Sequence, residues 1–219
     1  MQILIVGCRI LMCDYNFIFL DTETTGLNPD VDRITELAFL KDDYVYDEFI
    51  RIPKELDYSE SVQQMTHISR QTLELQGRAE SEVAHTLAKQ LTEDSIFVAH
   101  NCQFDLIYVN RMLNRNDILL PSCQYIDTLT IAKDLYPYPH KLCNCINYAG
   151  VENVQNTHRA IDDVKALKAV FNKFVEVNVP VEKYVNLFGF NPKYGVFKEM
   201  VRGIRYKKQY YDPIKPLYV

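Results

Sequence analysis

The sequence predicts an α/β fold: a mixed five-stranded sheet flanked by helices, followed by a C-terminal extension. Two observations carry this. Three strand-like runs follow one another closely at 17–21, 33–40 and 43–52, which suits a meander. Helical and strand-like patterns then alternate to about residue 177, which implies further strands with helices packed on the sheet faces.

"FIFLD" (17–21) is a buried strand. Side chains two apart in a strand share a face, so Asp21 and Glu23 project together beyond it. After the turn "TTGLNPDVD", 33–40 and 43–52 are partly alternating strands, and "KDD" between them is short enough for an antiparallel hairpin. "SESVQQM" and "SRQTLELQ" are short helical pieces, and 80–91 has apolar residues at helical spacing. "SIFVAHN" (95–101) is a strand running into a polar turn, and 104–113 a helix. "CQYIDTL" (123–129) is a short strand leading into the helix "LTIAKDLY". Residues 141–150 read as a helix closed by Gly150, and 160–177 as the strongest amphipathic helix of the chain. The first, fourth and fifth strands thus end in Asp21, His100-Asn101 and Asp127, at the sheet edge where α/β chemistry gathers.

The 219 residues, 47% hydrophobic and 24% charged, fit one soluble domain with an appendage. No apolar run approaches the ~20 residues of a membrane helix. The opening "MQILIVGCRILMC" is interrupted by Arg9 and lacks the marks of a signal peptide, so residues 1–14 read as an apolar lead-in to the core. Six cysteines without a CxxC pair read as reduced thiols of a cytoplasmic protein. His140, Cys143, Cys145 and His158 could ligate zinc, but CxC spacing is unusual for it.

Charge is unevenly placed. Residues 1–182 carry 16 Lys/Arg and 27 Asp/Glu, whereas 183–219 carry 8 and 2. Nine aromatics are interleaved with that basic tail. Such a segment suits a phosphate backbone with stackable bases; alternatively its rings pack it onto the domain while the lysines stay solvated. The expected layout is a lead-in at 1–14, a domain at 15–180 and an extension at 181–219.

"AHNCQFD" puts Asp105 at the start of a helix, and "HRAIDD" puts His158 just before the last strong helix, with Asp162 and Asp163 in its first turns. Carboxylates from three segments can hold two divalent hard cations, Mg²⁺ or Mn²⁺, for in-line phosphoryl displacement. A neutral histidine beside them can take a proton from water near pH 7.

"FLDTETTGLNPDVDRITELAF", "VAHNCQFDLIYVNRML" and "HRAIDDVKAL" resemble the three motifs of the DEDDh, or DnaQ-like, 3′→5′ exonucleases. These include the proofreading exonuclease of bacterial replicative DNA polymerases, oligoribonuclease and RNase T. The likeness covers about residues 15–177, and three motifs in this order are far more specific than "DxE" alone. It implies a ribonuclease H-like fold, with Asp21, Glu23, Asp105 and Asp163 as metal ligands and His158 as general base. The family spacing, five residues after the histidine, selects Asp163 and leaves Asp162 as a solvated charge near the helix N-terminus. It also makes Thr24, Leu27 and Phe104 substrate contacts, with a core ring as the other reading of Phe104. "MTHIS" resembles a segment near the substrate's 3′ end, with His67 in place of a common glycine.

The implied activity is metal-dependent removal of nucleoside 5′-monophosphates from the 3′ end of DNA, single-stranded or frayed. Other readings are an exoribonuclease, a non-cutting nucleic-acid or polymerase-docking module, and a small-molecule phosphohydrolase. The implied partners are DNA or RNA 3′ ends and a DNA polymerase, without a membrane. Of the other histidines, His85 reads as structural or exposed, His100 as a backbone-bonding residue at a strand end, and His140 as a loop residue.

Overall fold

The computed structural model describes residues 15–211 and 215–219; the lead-in at 1–14 lies outside the described residues. Five strands form one sheet: β1 (Asn16–Thr24), β2 (Ile34–Lys41), β3 (Tyr44–Phe49), β4 (Ser95–Ala99) and β5 (Gln124–Asp127), in the order β3-β2-β1-β4-β5. β1–β2 and β2–β3 are antiparallel, while β4 and β5 join in parallel. The sheet is therefore mixed, as the sequence pattern predicts. β1 runs on through Asp21 and Glu23 to Thr24, beyond the expected end, because its outer half keeps pairing with β2.

The helices are α1 (Glu60–Thr66), α2 (Arg70–Gln76), α3 (Glu80–Gln90), α4 (Cys102–Arg115), α5 (Thr128–Leu135), α6 (Leu142–Ala149) and α7 (Ala160–Glu176). Ser59 and Ser69 cap α1 and α2 by accepting the backbone N–H of Val62 and Thr72. α6 ends at Gly150, whose φ of +62° is the left-handed cap expected of a glycine there. Among the described residues, no helix is long and apolar enough to cross a membrane.

Strand alternation splits the core in two. Ile18 and Leu20 of β1 pack against α3 and α4 on one face, with Phe97 and Leu106. Phe17 and Phe19 face the other side, where α6 and α7 supply Ile146, Leu167 and Phe171. Phe17 and Phe19 both meet the Phe171 ring edge-on, with centroids 5.2 and 5.3 Å apart. By the same alternation, Asp21 and Glu23 belong to the α7 face and Thr22 to the α4 face.

The extension is folded onto the domain. β6 (Leu187–Phe190) and β7 (Arg205–Lys208) pair in parallel, two strands not read from the sequence. Asn186 bonds both backbone groups of Tyr125, so the extension covers the open edge of β5. Tyr184, Leu187 and Phe188 are buried, whereas Tyr194 and Tyr210 are exposed. Some of the tail's rings thus pack it onto the domain, while others stay open to solvent.

Candidate active site

Acids from three elements meet at the carboxyl end of β1. Glu23 and Asp163 each offer a carboxylate oxygen, and His158 a ring nitrogen, all within 4.8 Å of one another. Asp105 reaches the same end from α4, where the Thr22 hydroxyl donates to its Oδ1 at 2.8 Å. Asp21, partly buried, carries the charge influence of Asp105, Asp163 and Glu23.

None of the side-chain hydrogen bonds among the described residues reaches the carboxylate of Asp21 or Glu23. Burial foremost, then the neighbouring acids, pushes Asp21 well above the usual carboxylate range. The same causes take Glu23 to about 8, with Arg159 opposing. Burial takes Asp105 to about 7, against the Thr22 hydrogen bond. Burial takes Asp163 to about 6, against bonds from Asn156 and the Thr157 backbone. Buried like charges with so few donors form a site short of positive charge.

The surrounding loops are pinned. Gly26 is required by close approach: a Cβ there would lie 2.5 Å from Asp32 Oδ2. Asp32 accepts from the Thr25 hydroxyl and the Asn28 backbone, both at 2.8 Å, and so closes the turn after β1. Thr24 donates its hydroxyl to Gly26 O at 2.7 Å, leaving exposed Leu27 at the tip of the turn. His158 is exposed at φ +57°, a costly conformation for a residue other than glycine. Next to it, the Thr157 backbone donates to Asp163 Oδ1 at 3.1 Å.

Asp162 departs from the expected solvated charge. It is partly buried and accepts the Thr157 hydroxyl at 2.8 Å, so both adjacent acids fix the loop that presents His158. His67 sits exposed at the left-handed C-cap of α1, φ +57°, which explains why a glycine suits that position. Phe104 is half-buried: Tyr108 and Phe197 cover part of it, at centroid distances of 4.7 and 5.6 Å.

The remaining histidines fall outside the cluster. His100 spends both ring nitrogens, on the Thr128 hydroxyl at 3.0 Å and the His140 carbonyl at 2.8 Å. His85 is exposed against Ser81 O, and His140 lies in a loop but is buried. The four described cysteines are free thiols. Among the described residues, the zinc grouping of His140, Cys143, Cys145 and His158 does not come together, since His158 joins Glu23 and Asp163 instead.

Two residues beside the site were missed from sequence. Glu36 is wholly buried directly across from Glu23 in the β1–β2 register. Arg159 grips it through Nε at 3.1 Å and Nη2 at 2.8 Å, and the Ala160 backbone adds a bond at 3.0 Å. The Arg159 guanidinium also lies 4.9 Å from the centre of the Phe49 ring. This pair neutralises one acid of a like-charged cross-strand couple and anchors the start of α7 next to His158. The available signal was a glutamate within the apolar run "ITELAFL": a charge so buried needs a partner.

Strand β1, antiparallel to β2 and parallel to β4, with acids of its own and of α4 and α7 gathered at its end, defines an α/β domain with an acidic site. The RNase T exonuclease family model matches residues 18–171, and the chain belongs to that family. DNA polymerase III PolC-type of Thermotoga maritima is 33% identical over 168 residues, 75% of this chain but 12% of that protein. The 3′-5′ exonuclease DinG of Staphylococcus epidermidis is 28% identical over 202 residues, 87% of this chain and 22% of that protein. The chain therefore spans only a minor part of these relatives. Escherichia coli Exonuclease I in complex with a dT13 oligonucleotide matches with a TM-score of 0.68 at 19% identity, over 76% of this chain and 42% of that one. That likeness establishes the α/β fold with its mixed five-stranded sheet.

Proposed function

We propose that residues 15–180 form a catalytic domain, with 181–219 as an appended element, and that the chain removes nucleoside 5′-monophosphates from the 3′ end of DNA. The observation that carries this is the set of acids Asp21, Glu23, Asp105 and Asp163, gathered from three elements beside an exposed histidine and short of hydrogen-bond donors. DNA is favoured over RNA by the relatives, a PolC-type DNA polymerase III and a 3′-5′ exonuclease DinG, and by the dT13 bound to the fold neighbour. The PolC-type relatives also make a DNA polymerase a candidate partner.

The residues fit divalent cations: the donors are carboxylate oxygens, and their raised affinity for protons marks a site that positive charge would relieve. Asp21, Glu23, Asp105 and Asp163 would hold two ions, Mg²⁺ or Mn²⁺. When bound, such ions stabilise the charge that builds on phosphoryl oxygens and make water more acidic.

His158 accepts a proton from the attacking water, and its exposure lets it exchange that proton with solvent. The water oxygen forms a bond to the last phosphorus as the bond to the preceding 3′ oxygen breaks. That oxygen gains a proton, leaving a strand one nucleotide shorter and a nucleoside 5′-monophosphate. Leu27 and the turn after β1 would hold the terminal nucleotide. The open edge of Phe104 would meet its base, with Thr24 shaping the turn and His67 at the rim.

The test is a time course on 3′-labelled and 5′-labelled DNA and RNA, single- and double-stranded, in Mg²⁺, Mn²⁺ or EDTA. Single-nucleotide steps from the 3′ end of DNA, absent in EDTA, are expected. Cleavage from the 5′ end, or undiminished activity in EDTA, would refute the proposal.

A further inference from the structure

A cleft of about 440 Å³ lies between the domain and the extension, apart from the acids. Asn101 and Gln103 at the start of α4, with Lys133, Tyr138 and Lys141, form the domain side, and Tyr194 stands on the extension side. The two sites share α4: Asn101 and Gln103 line the cleft, while Asp105, about one turn on, faces the acids. Gln103 also ties the extension down, accepting the Tyr206 hydroxyl and donating to the carbonyls of Phe197 and Glu199. Phe197 in turn lines the cleft and touches Phe104.

The lining has the chemistry of one ligand class. Lys133 is only 8% exposed, and Asp127 and Asp134 act on its charge without a direct ion pair among the described residues. The acid in the cleft, Asp127, is already engaged by three backbone N–H groups and the Thr130 hydroxyl. Lys133 and the exposed Lys141 give the cleft two cationic side chains, which favour an anion. Beside it Tyr138 and Tyr194 are 62% and 68% exposed, large rings held open to solvent. Flat rings in a cleft that also holds two lysines suit a base with its phosphate.

We propose that this cleft holds an unpaired nucleotide of the DNA strand upstream of its 3′ terminus, the base on Tyr138 and Tyr194 and the phosphate on Lys133 and Lys141. The inference rests on the exonuclease reading. A strand is favoured over a free nucleotide because Phe197 in the cleft wall also touches Phe104, the ring proposed to meet the terminal base. Lys198 of the extension bonds Asn28 Oδ1, in the turn after β1, at 2.9 Å.

The test measures affinity of the full chain for labelled dT12, dT2 and thymidine 5′-monophosphate in Ca²⁺, with Tyr138→Ala, Tyr194→Ala, Lys141→Gln and Lys133→Gln. The first three change exposed residues, and the melting curve of each variant checks its fold. Wild type should bind dT12 more tightly than dT2. Each tyrosine variant should lose about tenfold on dT12 and little on dT2. Each lysine variant should flatten the salt slope for dT12 by about 0.7. Folded variants that keep the full length dependence and salt slope would overturn the proposal. So would thymidine 5′-monophosphate binding as tightly as dT12 and weakened by the same changes. Turnover of dT12 in Mn²⁺ is read alongside: turnover without length dependence removes the cleft and keeps the catalytic reading. Length dependence sensitive to these variants, without turnover, does the reverse.

Discussion

Asp21 and Asp127 both stand at the carboxyl edge of the same sheet, on β1 and β5, and their surroundings are opposite. The Oδ1 of Asp127 accepts from the backbone of Asn101, Cys102 and Leu129, at 2.9 to 3.2 Å, and its Oδ2 takes the Thr130 hydroxyl at 2.7 Å. That carboxylate stitches the starts of α4 and α5 to the sheet. Asp21 receives no such donors and faces Asp105, Asp163 and Glu23 instead. An acid at a strand end is thus not by itself a mark of chemistry. Missing compensation is the mark, because the fold leaves that charge for something else to balance.

The contrast can be broken by equal substitutions at the two ends. The largest effect is on turnover: Asp21→Asn should lower kcat by more than about 10³-fold on a single-stranded DNA oligonucleotide in Mn²⁺, the scale of losing about 4 kcal/mol of charge stabilisation. Next, His158→Ala should cost about 10²-fold in kcat while DNA affinity in Ca²⁺ stays near wild type. An unchanged rate would make His158 a structural residue.

Stability should move in opposite directions. Asp127→Asn swaps an oxygen acceptor for a donor among groups that all donate, and should cost about 2 kcal/mol, lowering Tm by about 6 °C. Asp21→Asn relieves repulsion, and in EDTA at pH 7.5 should raise Tm by about 2 °C. Equal signs for the two would undo the comparison.

A separate effect is the pH dependence of the metal-free protein. Glu23, Asp105 and Asp163 bind protons more tightly folded, at about 8, 7 and 6, than in the unfolded chain near 4. Between pH 4 and 8 the folded state therefore holds more protons, and stability from these groups falls as pH rises. In EDTA, Tm should decline from pH 5.5 to 8 by about 10 °C or more. Mn²⁺ should flatten the decline.

Much of this was legible in the sequence where local pattern and chemistry coincide. The five strands and the long α7 announce themselves by apolar period. The acids and His158 are marked by motifs whose spacing survives any change of loop. What was hidden depends on contacts far apart in the chain. Glu36 and Arg159 meet across 123 residues, so neither could be matched to its partner from the pattern alone. Asp162 was read as solvated because a helix start implies exposure, yet the Thr157 hydroxyl draws it inward. β6 and β7 are four residues each, too short for a clear period, and they form because Asn186 and Gln209 tie them to β5 and α5.

The most direct measurement is calorimetric titration of Mn²⁺ into the metal-free chain at pH 7.5, beside an Asp21→Asn, Glu23→Gln double variant. The account predicts two ions bound per wild-type chain with release of protons from the carboxyl cluster, and loss of that binding in the variant. Equal heats from both proteins, or none from either, would contradict it.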